Sequence, residues 1–283
     1  MKRLFVIVPV LTSILLAIAI LQFPPLARAQ QQKATASADK PLDVDRIIRA
    51  FTAKETEFRR ALNDYSFTRD ATIQTIGMGG QVTGEYHRVS SFVFDDKGTR
   101  FEKISYFPVP TLQEISVTAE DIDDLGGVQP FALEASKINL YNFTYVGKER
   151  IDEIDTYVFD VAPKTIPDPK NIKDRYFKGR IWVDDRDLQI VKVRGKGVPE
   201  NDRNRFPTFE TYREQIDGKY WFPTYTYADD ILDFPKGPSV HIRMLVRYKD
   251  FQRFRSEVKI TEIDEPVPAE KPAPAQPPVK PRP

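Results

Sequence analysis

The sequence predicts a mainly β protein: a strongly curved, unclosed antiparallel barrel of about ten or eleven strands, with an N-terminal helix and a central helical lid. Three observations predict it. Apolar residues alternate with a period of two from about residue 67 onward, interrupted at short intervals by turn residues. Several segments are apolar on both parities, so the sheet must be covered on both faces or bent round its own helices. Only one long stretch, after Asp43, has the three- and four-residue spacing of an amphipathic helix.

Composition narrows the function classes. The 283 residues carry 42 Lys and Arg against 41 Asp and Glu, so no net field draws in nucleic acid and no nucleic-acid partner is expected. With no cysteine, disulfides, thiolate nucleophiles, thiolate zinc sites and a lipidated N-terminal cysteine are excluded. The two histidines, His87 and His241, lie in separate strands without metal-ligand spacing, so no metal and no cofactor is expected. The 19 Phe, 12 Tyr and 2 Trp are far more than a disordered chain would hold.

Along the chain, Met1-Lys2-Arg3, an apolar run over residues 4–21 and Ala27-Arg28-Ala29 have the order of a secretory signal peptide over residues 1–29, with cleavage before Gln30. An uncleaved membrane anchor is the alternative, and either reading exports the chain to the periplasm. Residues 30–40 read as a polar linker, and residues 41–265 as one domain. Asp43 is a good N-cap. Val44, Ile47, Ile48, Phe51, Phe58, Leu62 and Tyr65 form one apolar stripe behind it, with Lys54, Glu55, Glu57, Arg59 and Arg60 on the wet side.

Strands are predicted over residues 67–76, 82–95 and 99–107, separated by Gly77-Met78-Gly79-Gly80 and Asp96-Lys97-Gly98. Thr118 with Asp121 resembles a capping arrangement, and opens a helical lid over residues 118–125. Hairpins follow: residues 140–146 turning at Gly147-Lys148-Glu149, residues 177–183 turning at Asp184–Asp187 into 188–194, and residues 209–216 turning at Asp217-Gly218 into 219–228. Strands over residues 240–248 and 258–263 complete the set. Residues 266–283 hold eight of the 23 prolines and read as a disordered, extended tail.

Enzyme chemistry finds little footing. Glu120-Asp121-x-Asp123-Asp124 and Asp184-Asp185-x-Asp187 lack the full spacing of a calcium loop, and no serine sits in a nucleophile elbow. Arg203-x-Arg205 and Arg253-x-Arg255 read as wet faces among acids and aromatics. The surplus is aromatic, in Phe92-Val93-Phe94, Tyr157-Val158-Phe159, Ile181-Trp182-Val183 and Tyr220-Trp221-Phe222. It points to an apolar concavity larger than two helices fill. The candidates for lining it are Phe51, Phe58, Leu62, Phe92, Phe94, Phe159, Trp182, Trp221 and Met244.

Phe177-Lys-Gly179-Arg-Ile-Trp-Val-Asp-Asp185, followed by Leu188-x-Ile-Val, resembles the Gly-x-(Ile/Leu)-Trp-(Val/Ile)-Asp hairpin of outer-membrane lipoprotein-sorting proteins of the LolA/LolB-like family. Asp217-Gly-Lys-Tyr-Trp-Phe-Pro223 is similar to the aromatic-Pro hairpin that follows it there. The resemblance implies an open barrel whose helices cover an apolar cavity for acyl chains. On that basis the chain is expected to be a non-enzymatic periplasmic carrier of lipid or lipoprotein acyl chains, working with envelope membrane proteins. An envelope sensor or scaffold on the same fold, binding a protein partner, is the other reading.

Overall fold

A computed structural model describes residues 42–118, 121, 132–170 and 175–254. The expected signal segment, linker, strand over 258–263 and Pro-rich tail lie outside the described residues, as does most of the expected lid. The chain divides into residues 1–42 and 43–283, and the fold belongs to the second unit.

Helix α1 spans Val44–Leu62 and starts where the sequence places it, with Asp43 accepting from the Arg46 amide at 2.9 Å. It ends three residues earlier than the apolar stripe suggests, because Tyr65 already opens strand β1 (Tyr65–Ile76). A short 3-10 helix, Ala135–Leu140, lies against α1, where the Ala135 amide donates to Thr56 Oγ1 at 3.0 Å and Glu134 pairs with Arg59.

The remaining strands are β2 (Val82–Phe94), β3 (Arg100–Tyr106), β4 (Tyr141–Ile151), β5 (Ile154–Pro163), β6 (Tyr176–Asp184), β7 (Ile190–Val198), β8 (Phe209–Ile216), β9 (Tyr220–Leu232) and β10 (Val240–Arg253). All ten form one antiparallel sheet ordered β3-β2-β1-β10-β9-β8-β7-β6-β5-β4. Each neighbouring pair but one is consecutive in sequence; the exception, β1 with β10, pairs the first and last of the described strands. β3 and β4 are the edges, so the barrel is unclosed, as the alternation predicts. Among the described residues no helix is long and apolar enough to cross a membrane.

Parity sorts the side chains onto two faces. Tyr65, Phe67, Ala71 and Ile73 on β1 and Ile242, Met244, Val246 and Tyr248 on β10 are buried on the inner face. All of them but Ile242, which clusters with Leu232 and Val240, join Ile47, Phe51, Phe58 and Leu62 of α1 in the main core. Strands that read as apolar on both parities serve two different cores. Ile181, Val183, Phe159 and Phe222 point inward, while Val158, Trp182 and Val191 form a small outer cluster with Trp221 against it.

Two turns differ from expectation. Gly147 is no turn: the β4–β5 register slips between Tyr145 and Gly147, so the glycine forms a bulge, and the reversal comes at Asp152-Glu153. Asp152, at φ 50°, takes the left-handed position that aspartate tolerates. Leu188, at φ 56°, belongs to the preceding turn, so β7 starts at Ile190. The Asp217-Gly218 turn behaves as its dipeptide predicts, with φ of 55° and 65° at the two central residues. Gly179, in the hairpin that carries the family resemblance, is required by crowding. A Cβ there would lie 2.2 Å from the Arg194 carbonyl oxygen and 2.8 Å from Phe177 Cζ, so the Phe177 ring lies against the Gly179–Gly195 pair.

Candidate ligand cavity

The inner face of the sheet is filled unevenly. Under α1 it is closed by aromatic packing. Phe51 meets Phe143 and Phe159 with ring centroids 5.6 Å apart in each case, and Phe58 meets Phe222 at 5.4 Å. Elsewhere on the same face lies a cavity of about 560 Å³. Ile73, Phe209, Thr226, Ile242 and Met244 form its floor from four strands.

The roof and one wall are loops. Residues 112–118 cross the inner face with Leu112, Ile115 and Val117 packed down onto the core. They are tied to β2 by the Thr111 amide donating to the Glu85 carbonyl and the Glu85 amide donating to Thr111 Oγ1, both at 2.9 Å. This crossing needs Gly84, where a Cβ would fall 2.7 Å from the Thr111 carbonyl oxygen. At the end of the roof the Thr118 amide donates to Asp121 Oδ2 at 2.9 Å, the capping contact read from the sequence; the lid beyond it is outside the described residues. The wall is the segment after β7, which supplies Asn201, Arg203, Arg205 and Phe206. Asn201 Oδ1 accepts from the amides of Arg203 and Asn204, and the Arg175 guanidinium lies 5.1 Å from the Phe206 ring centroid.

Of the nine residues singled out in the sequence, Met244 lines this cavity. Phe51, Phe58, Leu62 and Phe159 are buried in the packed core beneath α1. Phe92 is stacked on Phe67 at 4.6 Å with the Arg69 guanidinium 4.9 Å from its ring centroid, and Phe94 is stacked on Phe254 at 4.5 Å. Trp182 and Trp221 are a correction: they stand on the outer face, where parity puts them opposite Ile181 and Phe222. Their indoles donate outward, Trp182 Nε1 to Glu149 at 2.8 Å and Trp221 Nε1 to Asp187 at 2.9 Å. The space also lies away from α1, none of whose described residues lines it, rather than between helix and sheet.

Sequence reasoning missed most of the lining and the buried ion pair beneath α1. Ile242 shares the parity of Met244 and was accessible by that signal; Arg203 and Arg205 were set aside as a wet face. Glu55, placed on the wet side of α1, is instead buried at 2% exposure and forms a two-pronged pair with Arg213 of β8, at 2.6 and 3.1 Å. The Arg213 guanidinium also lies 4.9 Å from the Phe58 ring centroid. Glu55 is four residues after Phe51 and three before Phe58, so its position on the apolar stripe was legible while its charge argued against it.

No protein-family model matches the sequence, and no curated protein matches it. The structure is similar to a DUF1329 family protein from Desulfovibrio piger at 15% identity and a TM-score of 0.35, over 76% of this chain and 95% of that one. It is also similar to a LolA superfamily protein from Nitrosomonas europaea, at 16% identity and 0.32, over 72% and 94%. A third likeness is to a lipoprotein-sorting protein domain from Vibrio parahaemolyticus, at 11% identity and 0.33, over 75% and 94%.

Proposed function

We propose that this protein is an exported, periplasmic carrier or binder of lipid or lipoprotein acyl chains. The observation that carries the reading is the cavity of about 560 Å³, floored by Ile73, Phe209, Ile242 and Met244 and roofed by Ile115 and Val117. Its size is that of a small-ligand site, and its surface is mainly apolar, with polar and charged side chains supplied chiefly by the two loops. An acyl chain hidden there gains about 0.8 kcal/mol per methylene removed from water. The roof is loop rather than helix, and a loop opens more cheaply than a packed α1, which suits a protein that must also release its load. Export rests on the signal-like order of residues 1–29.

Native mass spectrometry of the purified protein, with titration by a fluorescent fatty acid, tests this. Co-purifying lipid or saturable uptake is expected. Met244→Trp should fill the space and block uptake with little change in stability, whereas a ring forced into a closed core destabilises. Wild type that carries no lipid and takes up no probe would sink the proposal.

A second reading, a scaffold that binds a protein partner, is favoured by one feature. Edge strand β3 leaves Phe101, Ile104 and Tyr106 about half exposed beside a sheet edge that no strand pairs among the described residues. A cross-linked envelope protein lost on Phe101→Lys, with lipid uptake intact, would favour that reading.

A further inference from the structure

The apolar cavity has one charged corner. Arg203 and Arg205 both line it, two residues apart on the segment after β7. The Arg205 side chain is 21% exposed and forms a loose ion pair with Glu200 at 3.7 Å, with no hydrogen bond between them. Arg205 Nε is buried with no hydrogen-bond partner. Glu200 is engaged elsewhere: one oxygen accepts from Lys196 Nζ at 2.7 Å and the other from the Phe206 amide at 3.1 Å. Arg203 is exposed and forms no ion pair among the described residues. Two acids share the lining. Asp121 is held by the Thr118 amide and hydroxyl, both at 2.9 Å, and Glu114 is exposed at the rim without a partner among the described residues.

A buried guanidinium N–H without an acceptor is a standing cost, and a planar donor fork beside apolar walls matches an oxyanion on the end of a hydrocarbon chain. We infer that the cavity selects an amphiphile with an anionic head, a carboxylate or a phosphate. The head is held by Arg205 with Arg203 beside it, and the chain lies over Ile73, Ile242 and Met244. This rests on the acyl-chain reading and adds to it the sign and place of the head.

The test uses the full protein loaded with N-phenylnaphthylamine, an uncharged apolar probe, displaced by oleate or by methyl oleate. Oleate should displace it at about tenfold lower concentration than the ester, the worth of one charge-assisted hydrogen bond. Arg205→Gln should remove most of that advantage and leave the ester unchanged. Arg203→Gln should remove a smaller part. Because Glu200 keeps Lys196 and the Phe206 amide, Arg205→Gln should fold, which an unchanged melting temperature verifies. Equal displacement by acid and ester in wild type, or loss of both alike in Arg205→Gln, overturns the inference and leaves acyl-chain binding standing. Probe release by excess inorganic phosphate would mark a small-anion site and overturn it too. If probe, acid and ester all fail to bind, the acyl-chain reading falls, and this one with it.

Discussion

One face of one sheet is used in two ways. Under α1, phenylalanines from helix and strands meet ring to ring, and Glu55 and Arg213 enter as a buried pair joined by two hydrogen bonds. Under residues 112–118, the same face meets a loop, keeps a cavity of about 560 Å³, and admits Arg205, whose ion pair with Glu200 is a loose one at 3.7 Å, and the exposed Arg203. The difference teaches what the helix is for. It closes its half of the sheet with packed rings, and the cavity lies in the half that a loop covers.

The largest expected effect lies in the closed half. Phe58→Ala removes a ring that is 1% exposed, packed on Phe222 and lying under the Arg213 guanidinium, and should cost roughly 3–5 kcal/mol by urea denaturation. Fatty-acid affinity, measured on the fraction that stays folded, should not move. Lost affinity at full stability would place the ligand under α1 and reverse the comparison.

Next comes the ion pair. Glu55→Leu strands a buried guanidinium and should cost about 3–5 kcal/mol. Adding Arg213→Met removes the stranded charge, so the double variant should recover most of that loss. A double variant no more stable than the single one would mean that the pair stabilises the fold in its own right, beyond fixing where α1 sits.

In the open half the effect should be smaller and of another kind. Met244→Ala normally belongs to a class costing about 2–5 kcal/mol, but this side chain borders empty space on one side, so about 2 kcal/mol or less is expected. The same change should weaken fatty-acid binding, which Phe58→Ala does not. A full core-sized loss with binding untouched would mean the space is not used.

Much of the fold was legible because period and turn chemistry are local. The Asp43 cap, the Asp217-Gly218 turn and the change of period after α1 each needed only a few neighbouring residues. The cavity was less so. Alternation tells that Trp182 and Ile181 face opposite ways, but not which way is inward, and aromatic size favoured the tryptophans. Likewise Glu55 and Arg213 are 158 residues apart, so neither announces its partner. Arg203 and Arg205 look like any loop arginines until the fold brings Ile73 and Met244 beneath them.

The smallest expected effect is a pH dependence that belongs to the closed half. Tyr65 sits where α1 gives way to β1, 1% exposed, its ring 4.7 Å from that of Phe222. Burial, and then its hydrogen bond to Asp217 at 2.9 Å, pushes its phenol up to about 12. The fold therefore favours the neutral phenol. Its contribution is complete below about pH 10, where the unfolded chain also keeps the proton, and is lost as the pH rises from there through about 12. Tyr248, raised by burial too, adds a dependence of the same sign. Urea midpoints should thus fall between about pH 9 and pH 11, and Tyr65→Phe should shallow the fall without abolishing it. Because Tyr65 does not line the loop-covered cavity, the ratio of oleate to methyl oleate affinity should be the same in Tyr65→Phe as in wild type. An equal alkaline slope in the variant would show that Tyr65 ionises as freely in the folded chain as in the unfolded one, and that the closed half is wetter at its end than its packing implies.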